Sequence, residues 1–588
     1  MRFKFLNFNI QIFKIFFVSA TLSAAFVPLS AAADFLNQTV LFNIDGQYEY
    51  SGRKQVSAAL RKISNKAYWY VSDEYWNGIS AAEQNSFSNE LDKLAQEFDA
   101  RIYPAEVSFW GSEWNPGVDG DPRITVLLTR LIAQAGGYYD TANEYKKSQA
   151  PDSNEREMVF INTSGISNGR AKIFLAHEFQ HLASFYQKEK LRNLTEDIWL
   201  NEARSEYSVK LSGYDADFEN SNLRRRLAVF VQNPSEPLGE WKNLAPDYGA
   251  IALFSYYLTD HYGDKVLADS LKNGEAGIKS VEEALKLNGF SETFSGIFSD
   301  WTVANVLNDS SAGSKFAYKS EDLKNFKVLP TQKFFVSGFG TDISVFNTVK
   351  DWQPVWYEFD TSIGYNGNLK VDFLGSAGSK FAVPYITFRI NGKKEIGFAD
   401  VSGGGTLSVP NSPAERGGTF FIKGFGSDVH KAILIPANHS KISGFGENDP
   451  ESSFSFKARV VSEVPEVSLP PVQPPAPSPP AAQSIQMILD QIKSLQEQIS
   501  GLQSQPGNPP ISSFSLNRDL FVGSAGNDVR RLQEFLAGEG VYPEARITGY
   551  FGPLTRGAVA RFQEKHGISP QIGYVGFKTR TKIQELIP

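Results

Sequence analysis

Residues 465–483 are too rich in proline to join any folded core. Proline lacks a backbone N–H and fixes φ, so such a tract runs extended. It cuts the chain into separately folding parts. A length of 588 residues requires several cores in any case. The composition is that of folded domains, with 41% hydrophobic, 21% charged and 13% aromatic residues. A net charge of -7 provides no basic field to recruit nucleic acid.

Before the tract the pattern changes once. Residues 34–315 mix strands and helices. Segments 66–71, 123–128 and 158–161 are short apolar runs bounded by turn residues, hence strands. Segment 80–98 places Phe87, Leu91, Leu94 and Phe98 on one face of a helix. Helical patterns cover 171–186, 196–211 and 248–262, and 278–307 is helical with a break at Gly289 and Ser291. Strands early and helices late predict an α+β domain. Residues 325–464 show short alternating segments separated by glycine-rich turns, such as Gly403-Gly404-Gly405. They predict an all-β, sandwich-like domain.

After the tract, in 484–504, Ile485, Ile488, Ile492, Leu495, Ile499 and Leu502 alternate steps of three and four. That is a coiled-coil seam, but a short one. A helical spacer that associates weakly through 485–502 and a true oligomeriser stand as equal readings. Residues 514–588 predict a small three-helix domain. At the other end, residues 1–33 read as a secretory signal. Arg2, Lys4 and Lys14 precede the apolar stretch 15–29, and Ala31-Ala32-Ala33 offers a cleavage site. An uncleaved anchor is the alternative, though the apolar run is short and interrupted for a span. The mature protein is expected outside the cytoplasm and without a membrane span.

The chain has no cysteine, which excludes disulfides, thiol nucleophiles and thiolate metal sites. A metal must be held by His, Asp or Glu. Of six histidines, two fall in His177-Glu178-Phe179-Gln180-His181. On a helix this spacing puts both imidazoles on one face, about one turn apart, where they can grip one zinc ion. Glu178 projects beside the pair, in position for a general base. A catalytic zinc needs a third protein ligand and one open position. Glu202, on the next predicted helix, is the candidate. Thr195 is the predicted N-cap of that helix, with Glu196 and Asp197 in its first turn. Glu206 lies one turn beyond Glu202, where it can accept the second N–H of a ligating histidine.

These residues resemble the gluzincin metallopeptidases. His177-Glu178-x-x-His181 followed by Asn201-Glu202-Ala203-x-Ser205-Glu206 is similar to the thermolysin-like members. His-Glu-Phe-Gln-His with Trp199-Leu200-Asn201-Glu202 looks closer still to the hyicolysin-like branch. The resemblance covers residues 34 to about 310. It implies a zincin-type catalytic domain with one zinc ion. His177, His181 and Glu202 would be ligands, Glu178 the base, and Glu206 the support behind a ligand. Thermolysin-type enzymes stabilise the oxyanion with a downstream histidine, for which His261 is the nearby candidate. Tyr248, in Asp247-Tyr248-Gly249, resembles the Tyr-x-Gly segment that supplies a phenol in other gluzincins. A phenol is chemically adequate, and Tyr248 is the preferred donor over His261. A tyrosine that merely packs at a helix start is the competing reading.

The C-terminal segment carries a second resemblance. Leu520, Gly523, Gly526, Asp528-Val529, Leu532-Gln533, Gly549-Tyr550-Phe551-Gly552, Phe562-Gln563, Gly573, Gly576 and Thr579-Arg580 are spaced as in the peptidoglycan-binding domain of bacterial cell-wall enzymes. This implies docking on the wall. A weaker signal is Asn115 to Asp121, whose alternating oxygen side chains and glycines resemble a calcium loop. Gly117 occupies a ligand position and no Glu closes the loop, so a plain acidic turn is the simpler reading. Three functions follow. One is a secreted, wall-associated zinc endopeptidase acting on proteins or peptides. The second is the same enzyme cutting peptidoglycan cross-bridges. The third is an inert surface or adhesion protein with a zincin fold, which the intact base and ligands argue against.

Overall fold

The computed structural model describes residues 33–402 and 416–464. At the C-terminal end it describes 516, 520, 524, 526–542, 547–549, 551, 553–568 and 573–586. The signal segment up to residue 32, the proline tract and the coiled-coil seam lie outside the described residues. The chain is multidomain, with helices and several sheets. Among the described residues no helix is long and apolar enough to cross a membrane.

The first sheet is built from β1 (Thr39–Asn43), β2 (Gln55–Ile63), β3 (Ala67–Ser72), β4 (Ile124–Thr129), β5 (Gly137–Tyr139) and β6 (Met158–Asn162). Its order is β1-β2-β3-β4-β6-β5. Strands β3, β4 and β6 are parallel, and the short edge strand β5 runs antiparallel to β6. Alternation along the central strands buries both faces. On one face Trp69, Val126, Leu128, Val159 and Ile161 meet helices; on the other Tyr68, Tyr70, Leu127 and Phe160 form a separate core. After β3 come α1 (Asp73–Asn77), α2 (Ala81–Glu97) and α3 (Tyr103–Trp110). Ser80 opens α2 with a capping box to Glu83, which satisfies two orphan donors at once.

Helices then dominate: α4 (Ser164–Ser167), α5 (Ala171–Ser184), α6 (Ile198–Leu211), α7 (Asn222–Gln232), α8 (Ala245–Tyr262), α9 (Asp264–Lys272), α10 (Gly277–Leu287) and α11 (Phe294–Leu307). The predicted break at Gly289 and Ser291 is the joint between α10 and α11. The N-cap of α6 is Asp197, not Thr195. The reason is Glu196, which is drawn away from the helix end. It accepts from the Gly277 backbone N–H at 2.5 Å and pairs with the fully buried Arg204 at 2.7 Å. Those contacts hold the chain extended until Ile198.

The next region is a pair of packed sheets. Its strands are β7 (Gln332–Val336), β8 (Asp342–Val349), β9 (Tyr357–Thr361), β10 (Asn368–Gly375), β11 (Phe381–Arg389), β12 (Lys394–Ala399), β13 (Arg416–Ile422), β14 (Val429–Leu434), β15 (Ala437–Asn438) and β16 (Ser452–Val461). One sheet runs β13-β10-β16-β8, the other β12-β11-β14-β9-β7 with β15 beside β11. Val371, Phe373, Phe454 and Phe456 of the first face Tyr357, Phe359, Ala432 and Leu434 of the second. This region also shares a core with α11. The Trp356 indole donates to the Thr302 carbonyl at 3.1 Å, and Trp352 packs between Phe294 and Phe298. His439 is part of this joint. It stacks on Trp352, contacts Ser295 at 2.7 Å, and is pushed down to about 3 by burial.

At the C-terminal end stand α12 (Asn527–Gly538), α13 (Pro553–Lys565) and α14 (Phe577–Leu586), around Leu532, Leu536, Val559, Phe562 and Ile583. Two buried glutamines use the same local device. Gln533 donates to Thr555 Oγ1 at 2.8 Å and accepts from the Gly549 N–H at 2.8 Å. Gln563 donates to Thr579 Oγ1 at 2.9 Å and accepts from the Gly573 N–H at 2.9 Å. Each amide is thus satisfied by a Gly-x-x-x-x-x-Thr segment, which explains the recurrence of that spacing in the sequence.

Candidate metal centre

Helix α5 has three working faces. Leu175, Phe179 and Leu182 enter the core below the sheet. The Phe179 ring packs edge-on against Phe98 at 5.2 Å and tilted against Tyr103 at 5.4 Å. His177 and His181 share a second face, with ring centroids 5.2 Å apart. Gln180 points at α6, donating to Ser184 Oγ and accepting from Ser205 Oγ at 2.6 Å. That buried bond sets the register between α5 and α6, and so brings Glu202 to the histidines.

His177 Nε2 lies 3.1 Å from Glu202 Oε2, and His181 Nε2 lies 3.7 Å from Glu202 Oε1. The ligand atoms of His177, His181 and Glu202 lie within 4.8 Å of one another. Two imidazole nitrogens and one carboxylate oxygen are the donor set of a catalytic zinc, and that chemistry fits the residues present. The rings are also held from behind. Glu206 Oε1 is 3.2 Å from His177 Nδ1, which fixes the N–H there and leaves Nε2 for a ligand role. Ser205 Oγ, 3.3 Å from both ring nitrogens of His181, gives its proton to Gln180 and so can accept from that ring.

Behind Glu206 lies a residue that no motif announced. Arg226 of α7 grips the carboxylate with two bonds, of 2.7 Å and 2.5 Å, and Asn222 donates a third at 2.7 Å. Burial would raise the Glu206 carboxyl, but Arg226 and His177 hold it well below the usual carboxylate range. Burial would lower His177, but its bonds to Glu202 and Glu206 lift it to about 10. Burial takes His181 down to about 4. Glu178, Glu202 and Glu206 thus set three acids around two imidazoles and the Arg226 guanidinium.

Glu178 is almost fully buried and makes no ion pair among the described residues. Burial first, then the charges of Glu202 and Glu206, push its carboxyl up to about 8. It lies under the edge strand β5. A Cβ on Gly137 would stand 2.8 Å from the Phe160 carbonyl and 3.0 Å from the Glu178 Cγ, and one on Gly136 would sink 2.2 Å from the Phe174 ring. Glycine at both positions lets β5 close over α5. Two residues on, Tyr139 stacks on the His181 ring at 5.8 Å.

Tyr248 opens α8 beside the centre, its ring 6.2 Å from that of His177 and 4.3 Å from the Arg226 guanidinium. Its O–H donates to Asn243 Oδ1 at 2.8 Å, and the Asn243 amide donates to the Tyr48 hydroxyl at 3.1 Å. The Tyr248 phenol is pushed well up by burial and by the Glu202 charge, so it remains a proton donor. His261 is not brought to this site. It stands thirteen residues further along α8, about 20 Å at 1.5 Å per residue. There its Nε2 contacts the Ala317 carbonyl at 2.9 Å.

The Asn115–Asp121 loop spends its oxygens internally. Asp119 Oδ1 accepts from the Asp121 N–H, and Asp121 accepts from the Arg123 N–H and the Tyr68 hydroxyl. Asn115 donates to Glu113 and to the Pro122 carbonyl. The structure brings no three ligand groups together there; among the described residues the His177, His181 and Glu202 set alone does so.

Residues 525–583 match the family described as "Putative peptidoglycan binding domain". The chain carries a peptidoglycan-binding domain near its C-terminus. It is 42% identical over 67 residues to the N-acetylmuramoyl-L-alanine amidase CwlL of Bacillus licheniformis, covering 10% of this chain and 18% of that one. It is 39% identical over 74 residues to the zinc D-Ala-D-Ala carboxypeptidase of Streptomyces albus G, covering 12% and 29%. The chain therefore spans less than a third of the length of these curated relatives. Among solved structures, the pre-peptidase C-terminal domain of a collagenase from Bacillus anthracis is 10% identical over 23% of this chain and 97% of that one, with a TM-score of 0.13. The lysozyme inhibitor PliG of Aeromonas hydrophila is 6% identical over 22% and 99%, with a TM-score of 0.12.

Proposed function

We propose that the chain is a zinc metallopeptidase of gluzincin type, secreted and held at the bacterial cell wall by its C-terminal domain. The observation that carries this reading is the convergence of His177, His181 and Glu202, with Glu178 beside them and Glu206 and Arg226 behind. A zinc ion held by His177, His181 and Glu202 would polarise a scissile carbonyl and acidify a water. Glu178 takes the proton of the attacking water and returns it to the leaving amine. The Tyr248 hydroxyl turns from Asn243 to the developing oxyanion. Strand β5 is the last of its sheet, with no strand on its outer side among the described residues. A peptide can add there as a further strand, which lays its backbone across Glu178.

The test is Glu178→Gln in the full chain. Zinc content should be unchanged and casein cleavage should fall by about 10²–10⁴-fold. Full activity in that variant would remove Glu178 from the base role. The peptidoglycan-binding match supports a second substrate reading, the peptide cross-bridges of the wall. Location does not define specificity, so incubation with casein and with purified peptidoglycan separates the two. A zinc-free protein that cuts neither would be the inert surface protein.

A further inference from the structure

A cleft of about 510 Å3 opens between α5 and α7, lined by Arg170 and Ile173 on one side and by Glu219, Asn222, Arg224 and Arg225 on the other. Arg224 is neutralised by Glu219 at 3.3 Å. Arg225 and Arg170 form no ion pair among the described residues. Arg225 donates to the Asn222 side-chain carbonyl, and the Arg170 guanidinium lies 5.1 Å from the Phe174 ring centroid. Neither has a carboxylate partner among the described residues. Enclosure by the protein and the charges of Arg226 and Arg170 pull the Arg225 guanidinium down to about 10, against the charges of Glu206 and Asp215, although its surface stays open to water. In a chain of net charge -7, two unmatched guanidinium groups facing one cleft are a local excess of positive charge.

The cleft adjoins the metal centre. Ile173 is one helical turn before His177 on α5, and Arg225 precedes the Arg226 that grips Glu206. Its relation to β5 gives it a direction. Gly136 lies against Phe174, Gly137 against Glu178, and Tyr139 against His181. Strand β5 therefore runs along α5 from the Arg170 end towards His181. A peptide paired antiparallel to β5 runs the other way, and its residues after the scissile bond approach Phe174 and Arg170.

We infer that this cleft is a carboxylate-binding subsite, selecting substrates with an acidic group just C-terminal to the cut bond. The inference rests on the peptidase reading above. A guanidinium donates two parallel N–H groups to a carboxylate, and a site built for that rejects the neutral amide. The carboxylate can be an Asp or Glu side chain or the free end of a short peptide.

The test uses the zinc-loaded full chain and a peptide library, with cut positions read by mass spectrometry. Asp and Glu should be enriched in the first two positions after the cut. A matched pair of peptides, Glu against Gln at that position, gives a selectivity ratio. Arg225→Gln should lower the ratio by about 10- to 100-fold, and Arg225→Glu should turn the preference towards Lys. Peptides ending in a free acid or an amide distinguish the two sources of carboxylate. If a free-acid end is required and an internal Glu is ignored, the subsite holds a chain terminus; the reverse result assigns it to side chains. Cleavage with no acidic preference, or a ratio unmoved by Arg225→Glu, overturns the inference alone. Absence of any zinc-dependent cleavage overturns the peptidase reading and this inference with it.

Discussion

Two regions of the molecule bury carboxyl groups completely and treat them in opposite ways. Behind His177, Glu206 is enclosed by Arg226, Asn222 and the imidazole, and its charge is retained. Beside β5 and β6, Glu144 and Glu157 are buried against each other. Burial and mutual repulsion push Glu144 far up, and burial raises Glu157 to about 7. One oxygen of each has no hydrogen-bond partner. The two sites have similar depth, so burial does not decide the charge state. The partners do: two fixed guanidinium N–H groups favour the anion, and a second acid favours the proton. A metal centre needs the first arrangement, because its supporting carboxylate must stay charged while the ligands change.

That contrast can be broken at either end. The largest effect is expected for Arg226→Gln, which strands the Glu206 charge. Removing one partner of a buried ion pair costs about 3–5 kcal/mol, to be read by urea unfolding. Loss of the support behind His177 should also weaken zinc binding by about 10- to 100-fold. An unfolding midpoint equal to that of the parent chain would mean that Glu206 is not held by Arg226.

The other end predicts a pH dependence. Glu157 titrates near 7 in the folded chain and near the ordinary 4.5 when unfolded, and Glu144 is raised in the same direction. Between those values the folded state binds more protons at this pair, so the pair's contribution to stability falls as pH rises through this window. The slope is at most about 1.4 kcal/mol per pH unit for each group. Unfolding at pH 5 and pH 8 measures it, and Glu144→Gln should flatten it. A Glu144→Gln variant whose slope equals that of the parent chain would contradict the pairing.

The smallest effect is expected at the Asn115–Asp121 loop. Its carboxylates already serve Arg123 and Tyr68, so Asp121→Asn should cost about 0.5–1.5 kcal/mol, the worth of ordinary hydrogen bonds. Millimolar calcium should leave the melting temperature of the parent chain unmoved. A clear rise would assign a calcium role to the loop.

Much of this was readable in the sequence wherever neighbours along the chain decide the structure. The four-residue spacing of His177 and His181 and the one-turn spacing of Glu202 and Glu206 are local, and so are the helices that carry them. Arg226, Asn243 and Tyr48 were not readable. They come from separate elements, with Asn243 and Tyr48 bonded across 195 residues. Strand β5 has three residues, too few to show a period, and only its glycines hint at a close approach. The cap of α6 was misplaced because a distant Arg204 contact and the Gly277 N–H claim Glu196. Tertiary contacts of that kind override a local capping preference.

The central claim is that His177, His181 and Glu202 hold one zinc ion, and metal analysis of the purified full chain after exhaustive dialysis tests it directly. One zinc per chain is expected, falling to near zero in Glu202→Ala while the far-ultraviolet spectrum is retained. A parent chain that holds no zinc, or a Glu202→Ala variant that keeps it in full, would contradict the account.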